Sequence, residues 1–152
     1  MTKQVKAGSV LIGGGAPVSV QSMTNTDTRD FAATSAQIER LARAGCDIVR
    51  VSVYDDACAD NVRALVDASS VPLVADIHFD HKLAIRSVEN GISKLRINPG
   101  NIGSAERVRM VADCCKAHRV PIRIGINGGS IEKQYLAMYR ENPFGNYNGI
   151  GG

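Results

Sequence analysis

Three arginines hold matching places in three β-rich runs. Arg50 lies in "DIVRVSV" (47–53), Arg96 in "SKLRINPG" (93–100) and Arg123 in "PIRIGIN" (121–127). Side chains alternate between the two faces of a strand. Ser52 therefore shares a face with Arg50, Asn98 with Arg96, and Asn127 with Arg123. A fourth run, "PLVADIHF" (72–79), puts Asp76 and His78 on one face, and a fifth, "VSVQSMT" (18–24), leads through Gln21 and Met23 to Asn25. Three arginines turned to one side of a sheet are costly without an anion, and a single carboxylate, Asp76, cannot neutralise three. A phosphate or diphosphate is the natural missing partner, because a guanidinium grips it with two parallel N–H bonds. His78 beside Asp76 is a candidate acid or orienting donor. Each residue also has a plainer reading. One inward arginine is often half of a structural ion pair. A histidine is often a satisfied core group. Asn25, Asn98 and Asn127 are as suited to capping turns as to holding a ligand.

The elements that must position these residues alternate along the chain. Between the apolar runs lie stretches with apolar residues at i, i+3 and i+4, the helical period: Ile38, Leu41 and Ala42; Cys58, Val62, Leu65 and Val66; Ala84, Ile85 and Val88; Val108, Val111, Ala112 and Cys115. Gly45 and Gly91 stand where helices end. Asp80 and Ser104 are candidate N-caps, and Pro72 and Pro121 open strands, where a missing N–H matters least. Strand starts recur every 21 to 29 residues, the length of one βα unit, so parallel strands with helical crossovers follow. "NPGNIG" (98–103) is expected to turn tightly and to bring backbone N–H groups to a helix start near Ser104, a favourable place for an anion.

In each run one face is apolar and is expected to meet helices: Val18 and Val20; Val49, Val51 and Val53; Leu73, Ala75, Ile77 and Phe79; Leu95 and Ile97; Ile122, Ile124 and Ile126. The other face turns polar toward the C-terminal end. A doubly wound sheet would need both faces apolar in its central strands; a barrel needs only the outer one, its upper inner face meeting ligand. The expected fold is α/β, a partial (β/α)8 TIM barrel of about five βα units. Two short β runs in residues 1–17, around Val5 and Val10–Ile12, predict an N-terminal β-hairpin across the barrel's bottom. Residues 18–140 are expected to form the barrel portion, with the ligand-facing mouth of a substrate-binding domain, and 141–152 an irregular tail rich in Gly and Asn. The glycine runs "IGGGAP" (12–17) and "NGGS" (127–130) match no nucleotide-binding fingerprint, though the second, between strand and helix, is suited to a phosphate as well as to a plain turn.

Composition narrows the function classes. The 152 residues carry a net charge of +3, 44% hydrophobic and 5% aromatic residues and no Trp. Without clustered basic residues or aromatic stacking platforms, nucleic-acid binding is disfavoured. No window is apolar enough for a membrane span, and the first residues lack a signal-peptide core, so a cytoplasmic location is expected. Cys46, Cys58, Cys114 and Cys115 include no CxxC pair, and they read as small packing residues rather than metal ligands.

Five motifs in order, "VQSMTNT" (20–26), "DIVRVSV", "VPLVADIHFD" (71–80), "LRINPGNIG" (95–103) and "PIRIGINGGS" (121–130), resemble the N-terminal barrel of the 4-hydroxy-3-methylbut-2-enyl diphosphate synthases, from about Lys6 to Lys133. The resemblance implies an oxidoreductase of the methylerythritol phosphate route to isoprenoids. It reductively opens 2-C-methyl-D-erythritol 2,4-cyclodiphosphate with two electrons from flavodoxin or ferredoxin, passed through a 4Fe–4S cluster. In that family a separate C-terminal domain holds the cluster and closes over the barrel of a partner subunit in a homodimer. By the same resemblance Asn25, Arg50, Asp76, His78, Arg96, Asn98, Arg123 and Asn127 bind the substrate, with Met23 shaping the pocket. The sequence after about Tyr139 departs from the family pattern, and the cluster-binding segment is not in it. This chain is therefore expected to bind no cluster itself and to have no reductase activity alone. Two rival readings share the anion-binding face: another phosphate-binding barrel enzyme, such as a pterin-related synthase, and a non-catalytic anion-binding module.

Overall fold

The computed structural model describes residues 2–127, Gly129 and Lys133. Along the chain run β1 (Val5–Ala7), β2 (Val10–Ile12), β3 (Gln21–Met23), α1 (Phe31–Arg43), β4 (Ile48–Val53), α2 (Asp56–Ala68), β5 (Leu73–Ile77), α3 (His81–Glu89), β6 (Lys94–Ile97), α4 (Pro99–Ile102), α5 (Ala105–His118) and β7 (Ile122–Ile124). The helices start where short polar side chains take up otherwise unpaired amides. Asp30 accepts from Ala33 N, Asp55 from Cys58 N, Asp80 from Lys82 N and Ser104 from Arg107 N. After α1 and α3 the chain turns away through Gly45 (φ 106°) and Gly91 (φ 92°), the left-handed geometry that glycine adopts without strain.

Strands β3 to β7 form one parallel sheet in chain order. Its outer face supplies Val49, Val51, Val53, Leu73, Ala75, Ile77, Leu95 and Ile97 to a single core with Ile38, Val62, Leu65, Val88, Val111 and Cys115 from the helices. At about 1.5–3 kcal/mol for each large side chain removed from water, this layer holds the sheet to its helices. All the large helices lie on that one face, and this sequential order is that of a barrel wall, not of a doubly wound sheet. The β1–β2 hairpin is antiparallel. It lies against the other face, where Ala7 forms a small core with Ile48 and Val74, flanked by Val10 and Ile12.

Several outward residues are not covered. Val18 and Val20 are 95% and 54% exposed, and Ile124 and Ile126 are 62% and 68% exposed. The physical reason is position. β3 starts only at Gln21 and β7 ends at Ile124, so Val18, Val20 and Ile126 lie outside the strands expected to hold them; β3 and β7 are also the sheet's edges among the described residues, α1 packs over β4 and α2, and α5 packs over α3. Phe79 is also exposed, because β5 ends at Ile77 and Phe79 lies in the turn into the Asp80 cap. Ala112 is exposed on α5, outside the stripe formed by Val111 and Cys115. "NPGNIG" is not a simple turn: it winds into the short helix α4, with Asn98 as its N-cap and Pro99 in the first turn. Gly128, Ser130 and the tail from residue 134 lie outside the described residues, so the "NGGS" cradle and the segment 141–152 are not assessed.

Candidate functional site

Strand register brings the inward polar groups into two rows. In the upper row Ser52 pairs with Asp76, Asp76 with Arg96 and Arg96 with Arg123. One step toward the strand starts, Met23 pairs with Arg50, Arg50 with Val74 and Val74 with Lys94. Arg50 is therefore level with Lys94 and reaches up diagonally, rather than lying level with the other two arginines.

Asp76 is the centre of this group. Its side chain is 4% exposed, with Arg96 Nη1 3.2 Å from Oδ1 and Arg50 Nε 3.6 Å from Oδ2. Arg50 also donates from Nη2 and Nε to the Met23 sulfur at 3.2 and 3.4 Å, so Met23 helps set the direction of that guanidinium. Each guanidinium has five N–H donors, and these two keep 25% and 22% of their side-chain surface in solvent. Arg123 is exposed and makes no ion pair among the described residues. Lys94 completes the charge set. Burial, then Arg123 and then Arg50 push its ammonium below the usual lysine range. Four cationic groups thus face one carboxylate. The structural ion pair accounts for part of the cluster, and the positive charge in excess of Asp76 makes this face suited to an anion.

His78 lies one step above Asp76 on the same face, with Nε2 3.1 Å from Ser52 Oγ. Asn98 is 2% exposed, and its Oδ1 accepts from Gly100 N at 3.2 Å; at least part of its role is to cap α4. Asn127 is exposed just beyond β7. Asn25 stands apart from the arginines. Its Oδ1 accepts from Gln37 Nε2 at 2.6 Å, and Gln37 Oε1 accepts from Asn25 N at 3.0 Å, which ties the strand-end loop to α1. An open cavity of about 490 Å³ lies on the hairpin side of the two rows, lined by Val5, Ile12, Gln21, Lys94, Ile122 and Arg123. Asp76, His78, Arg50 and Arg96 do not line it, so we place the candidate site on the charged rows.

A second polar cluster joins the loops after β3 and β4. Tyr54 Oη donates to Asp27 Oδ1 at 2.8 Å, Arg29 pairs with Asp27 at 2.7 Å and lies 3.7 Å from Asp55, and its guanidinium carbon sits 5.5 Å from the Tyr54 ring centre. The Arg29 side chain holds Asp27 well below the usual carboxylate range, and the bond to Asp27 pushes Tyr54 up to about 12. Nothing in the spacing of Asp27 and Tyr54, 27 residues apart, marks them as partners. Ser52 is different: its alternation with Arg50 was a readable sign that it faces the site.

The resemblance implies iron–sulfur chemistry for the family. Among the described residues no group of His, Cys, Asp or Glu is arranged to hold a metal ion. Cys58 and Cys115 belong to the core, and Cys46 and Cys114 are half-buried against it. Among the described residues no helix is long and apolar enough to cross a membrane.

Fold and site together define a segment of a parallel βα barrel with a basic inner face. The chain belongs to the family described as the GcpE TIM-barrel domain, whose model matches residues 2–146. That match runs past Tyr139, where the sequence motifs alone ended the likeness. The chain is 59% identical over 140 residues to the 4-hydroxy-3-methylbut-2-en-1-yl diphosphate synthase (flavodoxin) of Magnetococcus marinus, covering 92% of this chain and 38% of the relative. It is 55% identical over 138 residues to the protein of the same name from Desulfotalea psychrophila, covering 91% of this chain and 38% of the relative. It thus spans about two-fifths of these relatives' length. Among solved structures, a Xanthomonas albilineans dihydropteroate synthase aligns with a TM-score of 0.60 at 15% identity, covering 91% of this chain and 55% of that one; this likeness shows the barrel-type fold alone.

Proposed function

We propose that this chain is the substrate-binding barrel portion of a 4-hydroxy-3-methylbut-2-enyl diphosphate synthase, the oxidoreductase that opens 2-C-methyl-D-erythritol 2,4-cyclodiphosphate in the methylerythritol phosphate route to isoprenoids. The observation that carries the reading is the set of guanidiniums on neighbouring strands around Asp76, in excess of the carboxylate between them. Arg50, Arg96 and Arg123 grip the diphosphate. Asp76 holds two of them in place, and His78, oriented by Ser52, meets the substrate's oxygen atoms. Asn98 and Asn127 border the same mouth, while Asn25 acts through the loop it fixes to α1. In the whole enzyme a 4Fe–4S cluster supplies the two electrons, delivered by flavodoxin, which the relatives' names include. Its ligands come from outside the described residues, in a homodimer whose second subunit closes the barrel mouth. The enzyme works in the cytoplasm.

Isothermal titration tests the reading. The cyclodiphosphate is expected to bind at least about tenfold, about 1.4 kcal/mol, more tightly than inorganic pyrophosphate, because the ring's oxygens also engage His78 and the asparagines. Equal affinity for the two would favour a general anion-binding module instead.

A further inference from the structure

Gly125 directly follows β7 in the run "RIGIN". Its amide donates to Ile97 O at 2.9 Å, continuing the ladder alongside the strand that carries Arg96. Its φ is not in the left-handed region, so a side chain there is not strained on that account. Space is what a side chain lacks. A Cβ at this position would lie 2.6 Å from Arg96 Nε, 2.6 Å from Nη2 and 2.9 Å from Cζ. Its three nearest atoms are thus all guanidinium atoms of Arg96.

We propose that Gly125 is a positioning residue for Arg96. Its bare Cα leaves the slot in which the guanidinium rests against the continuation of β7. Arg96 Nη1 thereby reaches Asp76, and Nη2 and Nε stay at a fixed place on the anion-receptive face. Lengthening residue 125 by one methyl group pushes the guanidinium out of that slot. The fold absorbs this cheaply, since the displaced atoms are the far end of a flexible side chain. The ligand does not, because bidentate recognition depends on where the N–H groups point. For its effect on affinity the inference rests on the diphosphate-binding reading above.

The test uses the whole chain with three variants, G125A, R96A and the double variant. G125A is expected to melt no more than about 5 °C below the wild type, because Asp76 keeps Arg50 when Arg96 moves, while its affinity for the cyclodiphosphate falls about tenfold or more, as for one lost charge-assisted contact. R96A should show a similar loss, and adding G125A to it should cost nothing further, the signature of two residues acting through one group. Without ligand, the Arg96 Nε–H resonance should shift in G125A while that of Arg50 stays in place. Equal affinity of G125A and wild type, additive losses, or an unmoved Arg96 resonance would each overturn the proposal. If G125A alone fails to fold, recovery of the fold in the double variant would support the clash with Arg96, and continued failure would overturn it. A wild-type chain that binds no cyclodiphosphate would sink the functional reading, and the ligand-free resonance would still decide the role of Gly125.

Discussion

Replacing Asp76 with asparagine removes the one negative charge between Arg50 and Arg96 while keeping the side chain's shape. The contacts are 3.2 and 3.6 Å long, and at an effective dielectric of about 20 each corresponds to a gross attraction of about 5 kcal/mol. Desolvating a carboxylate this deeply buried takes back most of that. What the variant suffers is two guanidiniums left facing a neutral amide, just above the Lys94 ammonium. A fully buried pair broken on one side costs about 3–5 kcal/mol. Here the guanidiniums keep roughly a quarter of their side-chain surface in water, so the expected loss is smaller, about 2–3 kcal/mol. For a chain of this size that lowers the melting temperature by about 5–10 °C. Circular dichroism melts at pH 7 and low salt provide the assay, with and without millimolar pyrophosphate. The anion should restore more stability in D76N than it adds to the wild type, because it supplies the charge that was removed. A variant that melts at or above the wild-type temperature without anion would refute the idea that Asp76 holds the arginines in place.

Two further outcomes follow from local chemistry. Tyr54 should ionise near pH 12 rather than 10.0, the neutral phenol being held by its bond to Asp27. Its folded pKa is raised, so the stability it contributes is fully present below pH 10 and is lost as the pH climbs toward 12; absorbance titration against Y54F reads this, D27N should return the midpoint toward 10, and a wild-type midpoint near 10 would contradict the bond. Arg119 caps α5 with a left-handed backbone, φ 56°, which glycine adopts freely, so R119G should raise the melting temperature by about 2–4 °C, and a lower value would show that the arginine's contacts outweigh its strain.

The βα order was legible because each strand pairs with its sequence neighbour and each helix carries its own cap and stripe. Asp80, Ser104, Gly45 and Gly91 signal their helix ends through chemistry that acts within a few residues. Alternation alone identified the face shared by Arg50, Ser52, Asp76, His78, Arg96 and Arg123. What alternation cannot supply is register, and register sets Arg50 one step below Arg96 and makes Asp76 their common partner. Nor does it fix where a strand starts and stops or whether it is an edge: Val18, Val20 and Ile126 fall outside β3 and β7, Ile124 is on an edge strand, and all four emerge exposed. Alternation also could not show that Asn25 bonds to Gln37, because that partner lies on a different element. The slot at Gly125 needed coordinates, since glycine in a strand run has many causes.

The most direct measurement follows the guanidinium Nε–H resonances of Arg50, Arg96 and Arg123 while 2-C-methyl-D-erythritol 2,4-cyclodiphosphate is added to the whole chain. Three resonances shifting together along one saturation curve are expected if the guanidiniums grasp a single ligand. Movement of only one of them, or three different midpoints, would mean that these arginines do not form one binding site.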